Sequence, residues 1–181
     1  MNPVTPWLHD RPIRNDNPGD LRPRHGEPKW PGQDGIDGGR GGPFAMFITP
    51  ADGWAALGLW CLDARYLRGM KTAAEMIAVF APPSENNTEA YAAGVVARLG
   101  TGDLDLSDVS VLTALCRAIA HWEESHDVWT DEALTGGMTL CRARWPAYRA
   151  ARTGAAAPIA EPPAADGADA LNQAELNKLN N

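Results

Sequence analysis

Helical periodicity begins at Thr49 and not before, and that break divides the chain into two kinds of material. Residues 1 to about 48 are rich in proline, glycine and charge, as in NPGDLRPRHGEPKWPGQDGIDGGRGGPF. Gly and Pro at this density predict loop with a short hairpin. The GGRGG run confers backbone freedom, so order there depends on apolar pins. Trp7, Trp30, Phe44, Met46 and Phe47 are the candidates. Phe44, Met46 and Ile48 alternate with Ala45 and Thr49, which suits a short strand.

From Thr49 onward the signals are helical. Thr49-Pro50-Ala51-Asp52 offers a cap, a proline at the first helical position and an acid three residues on. The helix it opens runs to about Gly69, with Leu57, Cys61, Ala64 and Leu67 on one face. Thr72 to Glu75 reads as a capping box for a short helix through Phe80, which Pro82-Pro83 stops. A third helix over about 88–99 places Tyr91, Val95 and Leu99 four apart, and Gly100 closes it. A fourth over about 108–123 aligns Leu112, Leu115, Ile119 and Trp122. A fifth over about 130–150 carries Leu134, Met138 and Cys141 until Pro146 disturbs it. The expected fold class is mainly α. An arm at 1–10 precedes a small helical domain at 11–150, over which the N-terminal loop and hairpin region folds back. An Ala/Pro-rich tail at 151–181 has too little to bury and is expected to be flexible.

Charge and composition exclude several classes of function. With 44% hydrophobic residues in 181, the chain has material for a core. Lys and Arg total 16 against 23 Asp and Glu, a net charge of −7. That balance argues against nucleic acid as a partner, since a basic field supplies most of such affinity. No stretch reaches the roughly 18 apolar residues of a membrane span, so no membrane insertion is expected. The first residues, MNPVTPWLHDRPIRND, have no apolar core of signal-peptide type. Cys61, Cys116 and Cys141 are far apart in sequence and odd in number, and read as reduced core residues. His121 and His126 are five apart and lie on different sides of a helix; with no HExxH, CxxC or phosphate loop, no metal and no cofactor is expected.

Three phrases remain. In Ala118-Ile-Ala-His-Trp-Glu-Glu-Ser-His126, a helix ends on two adjacent carboxylates, Glu123 and Glu124. The negative end of the helix dipole opposes ionisation there, and cover by an aromatic group would raise a carboxyl pKa further. Those are the ingredients of a general acid; the plainer alternative is a solvated acidic helix end. In Ala81-Pro-Pro-Ser-Glu-Asn-Asn-Thr-Glu-Ala-Tyr91, the Asn and Thr side chains suit helix capping and Tyr91 points inward. Glu85, Asn86 and Asn87 together suit hydrogen bonding to a polar ligand such as a sugar. In Arg14-Asn-Asp-Asn-Pro-Gly-Asp-Leu-Arg22, residues Asn17 to Asp20 form a turn. Trp30, in the WPGQ that follows, is either a hydrophobic plug or a sugar-stacking face.

Taken in order, RNDNPGDLR, WPGQ, FAMFITPADGWAAL and KTAAEMIAVFAPPSENNTEAYAAGV resemble a family of small phage virion components and related prophage products. Its pattern is R-N-x-N-P-G-N-L/I-R, W-x-G, a Phe-flanked segment and A-P-P-x-E-N-x-T-x-x-Y, covering about residues 11–125. This chain departs from it at Asp20, where the family commonly has Asn, and at Glu124-Ser125, where the usual ending is E-N-G. The family in turn resembles lysozyme-like peptidoglycan-cleaving domains, in which a helix ends in the general-acid Glu. The resemblance implies a lysozyme-like helical fold with permuted element order and cleavage of peptidoglycan strands by a muramidase or lytic transglycosylase chemistry. It puts Glu123, or Glu124 if the register is taken from Ser125, in the acid's position, with Glu85 as rival. It implies a glycan cleft lined from Asn17, Trp30, Phe47, Asn86, Asn87 and Tyr91. The competing expectations are a non-enzymatic virion structural or wall-binding protein, with other virion or delivery-apparatus proteins as partners, and a contact-delivered antibacterial effector. In each case the chain is expected in a virion or the cytoplasm until delivery to the periplasm.

Overall fold

The computed structural model describes residues 11–24, 28–39, 42–84, 86–99, 104–124 and 128–155. The expected arm at 1–10, Glu85, and the tail from 156 lie outside the described residues. A one-turn helix α1 (Arg11–Arg14) leads into the hairpin β1 (Gln33–Asp37) and β2 (Phe44–Phe47). Five helices follow: α2 (Pro50–Tyr66), α3 (Ala73–Phe80), α4 (Thr88–Leu99), α5 (Val109–Glu124) and α6 (Asp131–Thr153). The domain is mainly α-helical with a minor antiparallel two-stranded sheet.

Helix α2 is the centre of the domain. It begins where its sequence says it should: the Thr49 side chain accepts from the Asp52 N–H, and Pro50 occupies the first turn. Its residues from Asp52 to Leu59 are all buried, so it is covered on every side rather than along one stripe. Helix α6 lies against it at close range. A Cβ on Gly137 would fall 2.2 Å from the Trp54 Cβ, and one on Gly58 would fall 2.7 Å from the Cys141 sulfur. Two ion pairs add to this seam, Asp52 with Arg144 at 2.7 Å and Asp63 with Arg152 at 2.9 Å. Cys61, Cys116 and Cys141 are free and buried, one each on α2, α5 and α6. Burial holds the Cys141 thiol up at about 12. The second helix start is equally local in origin, for both bonds of the Thr72–Glu75 capping box are formed.

The N-terminal segment folds onto this bundle through β2. Strand β2 pairs with β1 on one side, while on the other Ala45 N–H donates to the Leu21 carbonyl at 2.8 Å and Phe47 N–H to that of Asn15 at 2.9 Å. Ala45 and Phe47 are buried in the core, and Ile48 is 65% exposed. The short strand that the alternation of Phe44, Met46 and Ile48 suits forms over Phe44–Phe47 and stops before Ile48. Phe44 is also buried, the Arg11 guanidinium lying 3.5 Å over its ring. Two further departures concern ends. The RPIR segment winds into α1, and α6 continues through Pro146 to Thr153, closing on Gly154 in the left-handed conformation. No described helix is long and apolar enough to cross a membrane.

Candidate active site

Glu123 and Glu124 end α5, and consecutive helical positions point about 100° apart. They consequently look into different surroundings. Glu124 is buried and its Oε1 accepts from the Trp129 indole N–H at 2.7 Å, on the side where Trp129 meets Trp54 edge to face. Glu123 turns the other way, toward α4 and the N-terminal segment. Its Oε1 accepts from the Tyr91 hydroxyl at 2.8 Å. Tyr91 is fully buried, stacked against Trp122 at 4.9 Å, and burial raises its phenol well above the ordinary range, so it stays a donor.

Glu123 forms part of the wall of a groove of about 710 Å³. That volume lies within the range of small-ligand sites, roughly 300–1,000 Å³. The chain from Gly19 to Arg24 also lines the groove, and α3 contributes Val79 and Phe80. Arg11 and Asp20 also line it, paired through the guanidinium, with Arg11 Nε 2.8 Å from the carboxylate. The Asp20 backbone is left-handed (φ 46°), a conformation Asp tolerates better than most residues.

The Glu123 carboxyl is pushed up from 4.5 to about 7. Burial is the largest cause, because it penalises the charged form; the Tyr91 hydrogen bond opposes the rise, the Asp20 charge adds to it, and Arg11 opposes it. At neutral pH the group is thus divided between acid and base, the condition in which a carboxyl transfers protons efficiently.

The other residues singled out in the sequence separate clearly. Asn86 joins the groove at its rim. Asn87 is exposed and caps α4, its side-chain oxygen accepting from the Ala90 N–H at 3.2 Å. Asn17 is fully buried: its amide donates to the Leu21 and Ala45 carbonyls at 3.0 and 2.9 Å and accepts from the Leu21 N–H at 2.9 Å. It is a clamp between the N-terminal turn and β2, and does not face the groove. Phe47 is likewise a core residue beneath β2. Trp30 is 6% exposed, stacks on Tyr148 with centroids 6.1 Å apart, and donates its indole N–H to the Arg22 carbonyl at 2.9 Å. Of its two alternatives the plug describes most of its surface, though its edge reaches the groove.

Arg11 and Asp20 are among the groove residues that have no counterpart among the sequence candidates. The signal for Asp20 was its place in the NPGD turn where the family pattern has Asn; for Arg11 there was none, since its partners are brought by the fold. Among the described residues, no group of three His, Cys, Asp or Glu is placed to hold a metal ion. In comparisons with known proteins, no family model and no curated protein matches the chain.

Proposed function

We propose that this chain cleaves the glycan strands of peptidoglycan, as a muramidase or a lytic transglycosylase, with Glu123 as the general acid. The observation that carries the reading is a carboxyl still half protonated at about pH 7 on the wall of a ligand-sized groove. Between the two adjacent candidates, Glu123 is chosen because it lines that groove while Glu124 bonds Trp129 on another side of the helix.

Glu123 donates its proton to the glycosidic oxygen between N-acetylmuramic acid and N-acetylglucosamine, and the C1–O bond breaks to leave a neutral alcohol. The oxocarbenium-like carbon is captured by the muramyl 6-hydroxyl, giving a 1,6-anhydro end, or by water, giving a reducing end. In either course the Glu123 carboxylate takes up the proton that the attacking hydroxyl releases. Tyr91 holds the carboxyl in one orientation throughout. Asp20 is the other described carboxylate on the groove wall, and its pairing with Arg11 fixes it there. The order of sequence motifs supports a phage or prophage setting, in which a larger particle delivers the protein to the wall.

Digestion of purified sacculi tests this. The parent and Glu124→Gln are expected to release soluble fragments, and Glu123→Gln is not. Release by Glu123→Gln at the parent rate would remove the proposal. Binding of the parent to sacculi with no release at all would replace it with a wall-binding role.

A further inference from the structure

A second groove, of about 390 Å³, shares no described residue with the one that carries Glu123. Leu62, Leu106 and Leu112 line it and are themselves buried. Tyr66 and Trp145 add two aromatic rings, with centroids 6.2 Å apart and planes tilted by 47°. Tyr66 is 44% exposed and Trp145 half-buried, so the groove leaves aromatic surface in water. Arg142 and Arg149 complete it. They precede Trp145 by three residues and follow it by four on α6, so the three side chains share one helix face. Both arginines are exposed, and among the described residues neither guanidinium forms a hydrogen bond or an ion pair. No Asp or Glu is among the described residues lining the groove. The occupant this surface fits is an apolar segment that carries a carboxylate.

The chain's own tail contains such a segment. From residue 156 onward Glu161, Asp166, Asp169 and Glu175 stand against a single base, Lys178. Within it, Pro158-Ile-Ala-Glu-Pro-Pro163 combines one branched apolar side chain, one carboxylate and three prolines. Prolines at this density favour the extended polyproline conformation, which loses little entropy on binding and docks in aromatic-lined grooves. The reach is sufficient. Helix α6 ends at Thr153, and Gly154 in the left-handed conformation takes the chain off the helix axis. From Arg142 to Gly154 the helix spans roughly 18 Å. The extended chain from Gly154 to Glu161 spans up to roughly 23 Å. A segment tethered so close meets the groove at an effective concentration on the order of mM, which a second copy or a free partner would have to exceed.

We infer that this second groove is the docking site of residues 158–163 of the same chain. Ile159 enters among Leu62, Leu106 and Leu112, the prolines lie on Tyr66 and Trp145, and Glu161 pairs with Arg142 and Arg149. The inference is independent of the glycan reading, which concerns the other groove.

Fluorine NMR on the full chain labelled with fluorotryptophan tests it, the Trp145 signal being the one absent from Trp145→Phe. Ile159→Ser combined with Glu161→Lys changes only the tail. The pair is expected to shift the Trp145 signal and to leave that of Trp60, which lines the other groove, in place. A synthetic peptide of residues 156–165 added to this double variant should return the Trp145 signal to the parent position. Its affinity for the parent should be weaker by about threefold or more, because the tethered segment already fills the groove. A Trp145 signal that the double variant leaves unmoved would overturn the inference, as would equal affinity of the peptide for both proteins. A parent Trp145 signal that moves with protein concentration would overturn it in favour of a second copy in the groove.

Discussion

A carboxyl held in its acid form by the fold works against the fold once it is deprotonated, and Glu123→Gln makes that cost measurable. In the native protein Glu123 keeps its proton up to about 7, against 4.5 for the free group. The folded state therefore binds the proton more tightly than the unfolded chain. Its contribution to stability is complete below about pH 4.5 and is lost as the pH rises through 7. At about 1.4 kcal/mol per tenfold change in proton affinity, the gap corresponds to about 3 kcal/mol. Glutamine has the shape of the protonated acid, accepts the same Tyr91 hydroxyl bond and never ionises. The variant should match the parent at pH 4 and exceed it progressively to a plateau above pH 7. For a chain of this length 1 kcal/mol moves Tm by roughly 2–4 °C, so the plateau is about 6–12 °C. Thermal unfolding of both proteins followed by circular dichroism from pH 4 to 9 measures it directly. A difference independent of pH, or a parent more stable than the variant at pH 8, would refute the reasoning. Loss of sacculus digestion together with a gain in stability is the pattern expected of a strained functional group.

The helices were legible because their determinants are local. Thr49, Pro50, Thr72 and Glu75 act within one turn of their own positions, and each forms the contacts its spacing suggests. The N-terminal segment was less legible because β2 takes hydrogen bonds from both sides. The alternation of Phe44, Met46 and Ile48 suits a short strand without saying which face is buried; Ala45 and Phe47 line the core, and their N–H groups donate to the Leu21 and Asn15 carbonyls. Ala45 is too small to register in a hydrophobic pattern, yet it is fully buried. A proline at 146 predicts a disturbance, yet α6 runs through it to Thr153, held along its length by α2. For the site, the phrase containing Glu123 and Glu124 was visible, but their roles depend on how α5 is rotated against Tyr91. That rotation is set by packing between helices, which the spacing within α5 does not encode. Asn17 shows the converse: a turn-forming Asn looks the same in sequence whether its amide meets a ligand or three backbone groups. Only the fold brings Arg11 and Asp20 to face Glu123, more than 100 residues away in the chain.

Three further substitutions have defined outcomes. Tyr91→Phe removes the hydrogen bond that favours ionised Glu123, so the alkaline limb of the pH profile for sacculus digestion should move upward; a downward move would contradict the assigned role. Asn17→Ala leaves buried backbone groups of Leu21 and Ala45 without their partner and should cost about 2–3 kcal/mol in urea unfolding, and a loss below about 0.5 kcal/mol would show that the clamp is not needed. Gly53→Ala places a Cβ 1.8 Å from the Asp16 carbonyl oxygen, where the N-terminal turn crosses α2. It should cost about 2–3 kcal/mol and shift the segment bearing Asp20, and unchanged stability and digestion would show that this crossing is not tight.

The central claim is that the groove carries one carboxyl whose proton is retained to neutrality, and carbon NMR observes that group itself. In protein labelled at the glutamate side-chain carboxyl carbons, the resonance absent from Glu123→Gln should titrate with a midpoint near 7. The same midpoint should persist in Glu124→Gln. A Glu123 midpoint between 4 and 5 would contradict the account, because an ordinary surface carboxylate at that position has no proton to give at the pH of the cell wall.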